Sequence, residues 1–472
     1  MSVHKFYILL VCISLFCCTS KEYKIPITTT SKEALAEYQK GIQFTDVLKI
    51  DEAEVAFKKA IALDSTFAMA YLELALLRDD YDIRKNLIAK AMSYLDNLSE
   101  GEQLLILGKN KFYGNDEGEP EFYYFEKLAR LYPEDDIANF QFGYINVHHG
   151  QHFPDSAIHY YKKALAINPK VSKYYERLTE AYLLNQDFDN AEKNINTHIN
   201  FLPDHVTPRI TYGEMLLTEH RYEESFEAYK KVLELNPKAA WAMIGSATNL
   251  NFLNRFKEAR NYIIMLDSIP LSDYEYRHKW RVKTCSYLVE GKIDSAIVVL
   301  KQQKKETESG VNKRETVFHQ YYPLLRMTRF YFENNQPQEG LASYAKLKDF
   351  VHANITREST LTNINNLENY YNAYALFLNG DVAKAEQILI NIQEKSEAEK
   401  LLLGKILLKQ QQYSEAIDLL IQLDTENAFY QYWLAKTYQM DNQMEAYQNQ
   451  ISKIKTLIEI DDLDYALIAR FL

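Results

Sequence analysis

The side chains that could do chemistry are few. His148, His149 and His152 lie close together, with Asp155 and His159 following. On a helix, His148 and His152 would share a face and could hold a transition metal. Gly150 and Pro154 interrupt the segment, however, and read as a turn between helices, where polar side chains are solvated and need no ligand, so no metal site is expected. Of the four cysteines, Cys12, Cys17 and Cys18 crowd the N-terminus, and Cys285 falls within a helical pattern from Trp280 to Leu288. That spacing excludes a disulfide framework and reads Cys285 as a small buried hydrophobe. There is no glycine-rich phosphate loop, no Gly-x-Ser-x-Gly elbow, no His-Glu-x-x-His and no Cys-x-x-Cys pair. Without such constellations the chain reads as non-enzymatic, with no catalytic residues and no cofactor.

The elements that would position any binding residues are helices. The 472 residues include only 14 Gly and 11 Pro, too few for a sheet protein with frequent turns, while 47% hydrophobic residues suffice for a sizeable core. Lys and Arg number 54 against 65 Asp and Glu, a net charge of −11, which argues against a charge-driven grip on nucleic acid. Small and large residues recur in a fixed order: Ala157, Tyr161, Ala164, Pro169, then Ala191, Ile195, His198, Pro203, then Ser225, Tyr229, Val232, Pro237, at intervals of 34. Ala259, Ile263 and Leu266 continue the series with Pro270 one place early, and Ala53, Phe57, Ala60 and Ser65 precede it. Steps of 4 and 3 put the triad on one helical face, a seam where small residues admit a neighbouring helix. About twelve residues earlier lies a second amphipathic stretch with a small residue midway, Gly41, Gly213 or Ala247. Short polar turns such as Asn185-Gln186-Asp187 and His220-Arg221 join the two.

Two antiparallel helices per 34 residues, with these small, aromatic and Pro positions in register, resemble the tetratricopeptide repeat. The resemblance implies an all-α fold, a right-handed superhelical α-solenoid of tetratricopeptide-like helix pairs, about twelve in all. Residues 33–301 would form about eight repeats, 302–316 a polar connection, and 317–472 further repeats closed by a capping helix from Asp462 to Phe471. The connection reads either as a boundary or as a loop bulging from a continuous superhelix. Family members that hold a C-terminal carboxylate use Lys and Asn at fixed inner places, and this chain departs from them with Lys173, Glu176 and Glu180, then Thr207, Ile210 and Glu214, then Trp241, Ile244 and Thr248. Further on, the inner positions turn basic and aromatic: Arg281, Arg326 and Arg329, then Tyr370, Tyr371 and Tyr374. These six are the candidate groove contacts, since Tyr and Arg concentrate binding energy at interfaces. The opposing reading has the tyrosines filling seams between helices.

At the N-terminus an apolar run from Phe6 to Cys18 follows Lys5, too short to span a bilayer but matched to a secretory signal. Leu15-Phe16-Cys17-Cys18 resembles a bacterial lipoprotein signal, which implies removal of residues 1–17, lipidation of Cys18, and a linker over 18–32. An uncut anchor or plain cleavage are the other outcomes. The expected protein is thus exported to a bacterial cell envelope, lipid-anchored to a membrane and facing the periplasm. Its expected role is a scaffold or adaptor binding a partner protein or extended peptide in its groove. The alternative is a sensory or uptake lipoprotein for a glycan or small molecule, against which the 3 Trp and 14 Gly weigh.

Overall fold

The computed structural model describes residues 24–78, 80–113, 118–148, 152–308, 316–457 and 466–467. The expected signal and Cys18 lie outside the described residues, as does the expected closing helix apart from Ala466 and Leu467, which are buried in a core cluster. Among the described residues there are 24 α-helices and no strand. In chain order they are α1 (Lys32–Asp46), α2 (Ile50–Leu63), α3 (Ala68–Leu76), α4 (Tyr81–Met92), α5 (Glu100–Phe112), α6 (Glu121–Leu131), α7 (Asp136–Ile145), α8 (Pro154–Ile167), α9 (Ser172–Leu184), α10 (Phe188–Phe201), α11 (Val206–Thr218) and α12 (Tyr222–Leu235). There follow α13 (Ala240–Phe252), α14 (Phe256–Met265), α15 (Asp273–Val289), α16 (Ile293–Glu308), α17 (Thr316–Glu333), α18 (Pro337–Asn354), α19 (Glu358–Leu378), α20 (Val382–Ile390), α21 (Glu397–Lys409), α22 (Tyr413–Leu420), α23 (Ala428–Met440) and α24 (Met444–Thr456). Each odd-numbered helix packs on the even-numbered helix after it, α11 doing so through Gly213 against Tyr229 and Ser225, and first helices also touch the next first helix, as α3 does α5, α13 does α15, and α21 does both α19 and α23. This is an all-α array of tetratricopeptide-like pairs. It forms two compact units, Met1–Thr211 and Tyr212–Leu472.

Two local devices build the pairs. The first is a close crossing: a Cβ added to Gly41 would lie 2.4 Å from the Phe57 ring, at Gly108 2.6 Å from Phe125, at Gly143 2.9 Å from Tyr161, and at Gly404 2.6 Å from Leu420. Tyr229 is held from two sides, by Gly213 of its own pair and Gly245 of the next, with 2.8 and 2.3 Å to such a Cβ. In α17 and α18 the roles are exchanged, the ring being Phe332 on the first helix and the glycine Gly340 on the second.

The second device is the turn. Gln186, His220 and Asn254, 34 residues apart, have φ of 56°, 60° and 58°, and Leu48, Gly291, Asn335, Gly380, Gln411 and Asn442 share the left-handed conformation. In each of the first three the next N–H returns to the carbonyl five residues back: Asp187 to Tyr182, Arg221 to Leu216, Arg255 to Leu250, at 2.8 to 2.9 Å. This closes the open carbonyls of the preceding helix while reversing the chain.

The connection and the linker differ from expectation, and one further polar run proves helical. In the expected connection 302–316, α16 continues to Glu308 with Gln303 and Thr307 buried, and residues 309–315 lie outside the described set. The polar run from His352 to Asn366 is largely helical, because Leu361, Ile364 and Leu367 recur at helical spacing among its asparagines, and Ile364 is buried with its carbonyl accepting the Tyr344 hydroxyl at 2.6 Å. The expected linker is not free where it is described. Ile25 is buried and donates its N–H to Asp135 at 3.1 Å, Thr28 donates N–H and hydroxyl to Glu102 at 2.8 and 2.6 Å, and Thr29 and Thr30 donate to Asp64 at 2.6 and 3.0 Å. Ser31 then caps α1. The segment straps the loops that open α3, α5 and α7, because three buried carboxylates there need donors. Burial pushes the Asp64 carboxyl up, but the Thr29, Thr66 and Thr30 hydrogen bonds win and hold it below the usual carboxylate range.

Two stability measurements check this account by urea denaturation. Gly380, at φ 91°, has open space around its Cβ position, so Gly380→Ala should cost about 1 kcal/mol through backbone strain alone, and Leu48→Gly should gain about as much. Replacing Thr28 by Val removes a donor to the fully buried Glu102 and should cost about 1–3 kcal/mol, whereas a free linker would give no change.

Candidate binding surface

In the second unit, side chains from four consecutive first helices meet. Lys405 of α21 is 5% exposed, with its ammonium 3.1 Å from the Tyr374 hydroxyl of α19 and 3.4 Å from Glu333 of α17. The Tyr374 hydroxyl donates to the same Glu333 carboxylate at 3.0 Å. Rings complete the enclosure: the ammonium lies 4.4 Å from the Trp433 centroid, 5.1 Å from Tyr374 and 5.2 Å from Phe429. Arg329, one turn before Glu333, sets its guanidinium 4.9 Å from Phe429. Burial pulls the Lys405 amine below its ordinary range, and the Glu333 charge opposes that shift. The Trp433 indole N–H is buried and has no hydrogen-bond partner among the described residues. Chemically, this cluster brings together cations, ring faces and a buried indole N–H.

The expected contacts divide. Arg329, Tyr370 and Tyr374 belong to this cluster, Tyr370 packing on Tyr374 at 5.9 Å. Tyr371 does not: it is 5% exposed, stacked on Phe332 at 5.1 Å and against Tyr344 at 4.9 Å, which makes it a seam residue inside the unit. Tyr374 combines both roles, its ring stacking on Phe332 while its hydroxyl points into the cluster. Arg326 lies over Tyr322 of its own helix at 5.9 Å, and Arg281 is partly exposed on α15. The sequence reading missed Glu333, Lys405, Phe429 and Trp433. A lysine inside the apolar run Leu401-Leu402-Leu403-Gly404-Lys405-Ile406 was the available signal, but its partner Glu333 is 72 residues away.

The first unit carries a different set of buried charges. Lys109 of α5 and Glu73 of α3 are 6% and 7% exposed. The Lys109 ammonium lies 5.4 Å from the Phe112 ring and 5.5 Å from both Phe125 and Tyr144. Lys173 of α9 lies 5.3 Å from Phe140, and Arg177, also on α9, 5.4 Å from Tyr144. Phe140 and Tyr144, one turn apart on α7, thus each have a cation against the ring. Burial lowers the Lys109 amine to about 7, helped by Lys173 and opposed by Glu73. Burial raises Glu73, and raises Asp46 of α1 to about 6, with Lys173 opposing both shifts.

His148 packs its ring 3.9 Å from Tyr144 and His152 is exposed in the turn before α8. Among the described residues no group of three His, Cys, Asp or Glu could hold a metal ion. Cys285 is buried and forms no disulfide among the described residues. No helix of the described residues is long and apolar enough to cross a membrane.

A family model described as anaphase-promoting complex, cyclosome, subunit 3 matches residues 352–423, a small share of the chain that takes in α19 to α22. No curated protein matches. Among solved structures, yeast Tom70 is 18% identical with a TM-score of 0.40, covering 64% of this chain and 66% of its own. A human IFIT1 dimer with m7Gppp-AAAA is 14% identical, with a TM-score of 0.38 and coverage of 92% and 96%. YrrB, a TPR protein with an unusual peptide-binding site, is 20% identical, with a TM-score of 0.22 and coverage of 37% and 89%. These likenesses are low, and no reading of function rests on them.

The buried charges of the first unit make its stability depend on pH in two windows. Lys109 is lowered from 10.5 to about 7, so the unfolded chain binds its proton more tightly. Stability should therefore rise from about pH 7 to pH 10.5, and Lys109→Met should flatten that rise. Asp46 is raised from 3.8 to about 6, so its contribution is present below pH 3.8 and lost as pH increases through 6, a fall that Asp46→Asn should remove. Denaturation midpoints across pH, compared between variants and the parent chain, measure both slopes.

Proposed function

We propose that this chain is a non-enzymatic scaffold, tethered through lipid on Cys18 to a membrane of a bacterial envelope and facing the periplasm, that holds a partner protein or extended peptide on the first helices of its second unit. A helix-repeat architecture of this kind is suited to protein–protein interaction, since each pair adds another segment of contact surface. The observation that carries the site is the convergence of Arg329, Tyr370, Lys405 and Trp433 from four successive first helices, with the indole N–H free to donate. Arg, Tyr and Trp are the side chains that most often dominate interface energy, because they combine a broad apolar face with polar ends. Because they come from successive first helices, an extended partner laid across those helices would meet this cluster. The tether would raise the local concentration of whatever is held at the membrane.

Cells carrying the tagged full chain should incorporate labelled palmitate, and Cys18→Ala should abolish the label. After mild cross-linking, a stoichiometric partner should co-purify, and Arg329→Ala and Trp433→Phe should each weaken its binding by about 1–3 kcal/mol, about tenfold or more. Retention of label in Cys18→Ala would reject the anchor, and absence of any stoichiometric partner would reject the scaffold.

A further inference from the structure

The second unit holds a pocket of about 730 Å³ between the first half of α19 and the loop that leads into α21. That volume falls within the span of about 300–1,000 Å³ usual for small-molecule sites. Its lining shares no residue with the Lys405 cluster. From α19 come Asn363, Asn366 and Asn369, whose spacing of three keeps them along one side of the helix. Asparagine disfavours helix interiors because its amide competes with the backbone for hydrogen bonds, so a run of them inside α19 calls for a use. Asn365 has one, its carbonyl oxygen meeting Nε2 of His352 at 3.1 Å. The amides of the three pocket asparagines make no hydrogen bond among the described residues.

The loop adds Gln393, Glu394 and Ser396, and α21 adds Glu399. Glu399 is 6% exposed, and its Oε2 accepts from the Ser396 N–H at 2.7 Å and from the Ser396 hydroxyl at 2.9 Å. Its Oε1 has no partner among the described residues, which leaves a buried carboxylate oxygen as an acceptor on the pocket wall. Leu367 and Ile392 supply a narrow apolar patch, and no cation or aromatic ring lines the pocket among the described residues.

This lining selects by chemistry. Two carboxylates and no cation disfavour an anion, and the polar majority disfavours an apolar ligand. A compact cation would answer the carboxylates but leave the amide N–H groups without acceptors. A peptide main chain brings one N–H donor per residue, too sparse for so many acceptors over so short a helical stretch. Clustered hydroxyls suit it best, since each both donates and accepts and so matches the paired donor and acceptor of an amide as well as a carboxylate. We propose that this pocket binds a neutral saccharide of one or two rings, its hydroxyls held by Asn363, Asn366, Asn369 and the Glu394 and Glu399 carboxylates, with Leu367 and Ile392 against its C–H face. The site goes beyond the scaffold role and needs neither the lipid nor a protein partner.

Titration calorimetry on the full chain at neutral pH tests this with glucose, galactose, mannose, xylose, N-acetylglucosamine, maltose, lactose and cellobiose, beside glucuronate, spermidine and N-acetyl-tetraalanine amide. At least one neutral saccharide should bind one to one with Kd below about 1 mM, about tenfold or more tighter than any of the last three probes. The exposed pair Asn363→Ala with Asn366→Ala, which removes no hydrogen bond within the chain, should weaken that saccharide about tenfold or more, while Trp433→Phe leaves it unchanged. The proposal is overturned if no saccharide of the panel binds at about 10 mM, if glucuronate, spermidine or the peptide binds as tightly as the best sugar, or if the double variant binds like the parent. The probe comparison uses the parent chain, so it decides the matter even if the variant fails to fold. Loss of a protein partner in Trp433→Phe would leave this result untouched, so the two readings fail separately.

Discussion

Helices pair in this protein where one backbone leaves room for a ring. At Gly41, Gly108 and Gly143 a side chain as small as a methyl group would sit within 3 Å of the aromatic residue that crosses there, and at Gly404 the same holds for Leu420. The crossing brings two backbones close enough to bury the Ala, ring and Ala seam of the second helix, and interiors this dense tolerate no spare methylene. Tyr229, gripped by glycines from two pairs, shows how the same contact that closes one pair also stacks the next upon it. The exchange of glycine and ring between Gly340 and Phe332 shows that the constraint is on the space and not on which helix supplies it.

Seams between helices also take tyrosines that would otherwise be available to the candidate surface. Tyr371 illustrates the division: one residue from Tyr370 along α19, it stacks on Phe332 in the seam, while Tyr370 packs on Tyr374 of the Lys405 cluster. The two units then treat buried lysine in opposite ways. Lys405 is matched by Glu333, a tyrosine hydroxyl and three rings, so its charge is answered internally. Lys109 is surrounded by rings and cations with only Glu73 to offset them, and its amine pays for that isolation with a lowered affinity for its proton.

The strap over residues 25–30 adds a tie of another kind. Its backbone and threonine hydroxyls satisfy Asp64, Glu102 and Asp135, each at the entrance to a different first helix, so it couples pairs that otherwise touch only their neighbours. Arrays of repeats gain stability mainly from adjacent contacts, and a segment that spans several of them makes the opening of any one more costly.

The helical fold, the pair as its unit and the place of the reversing turns were legible in the chain because they rest on local spacing. Steps of 4 and 3 place Ala157, Tyr161 and Ala164 on one face, and Asn185-Gln186-Asp187 marks a turn whichever partner the helix meets. The strap, the Lys405 cluster and the charges around Lys109 were not legible. Ile25 and Asp135 are 110 residues apart, Glu333 and Lys405 72, and nothing in their local sequence says that they meet. Periodicity tells which residues share a face of one helix. Which distant face lies opposite depends on how every intervening pair crosses, and so the choice between a tyrosine in a seam and a tyrosine in a binding surface is made only when the pairs have stacked.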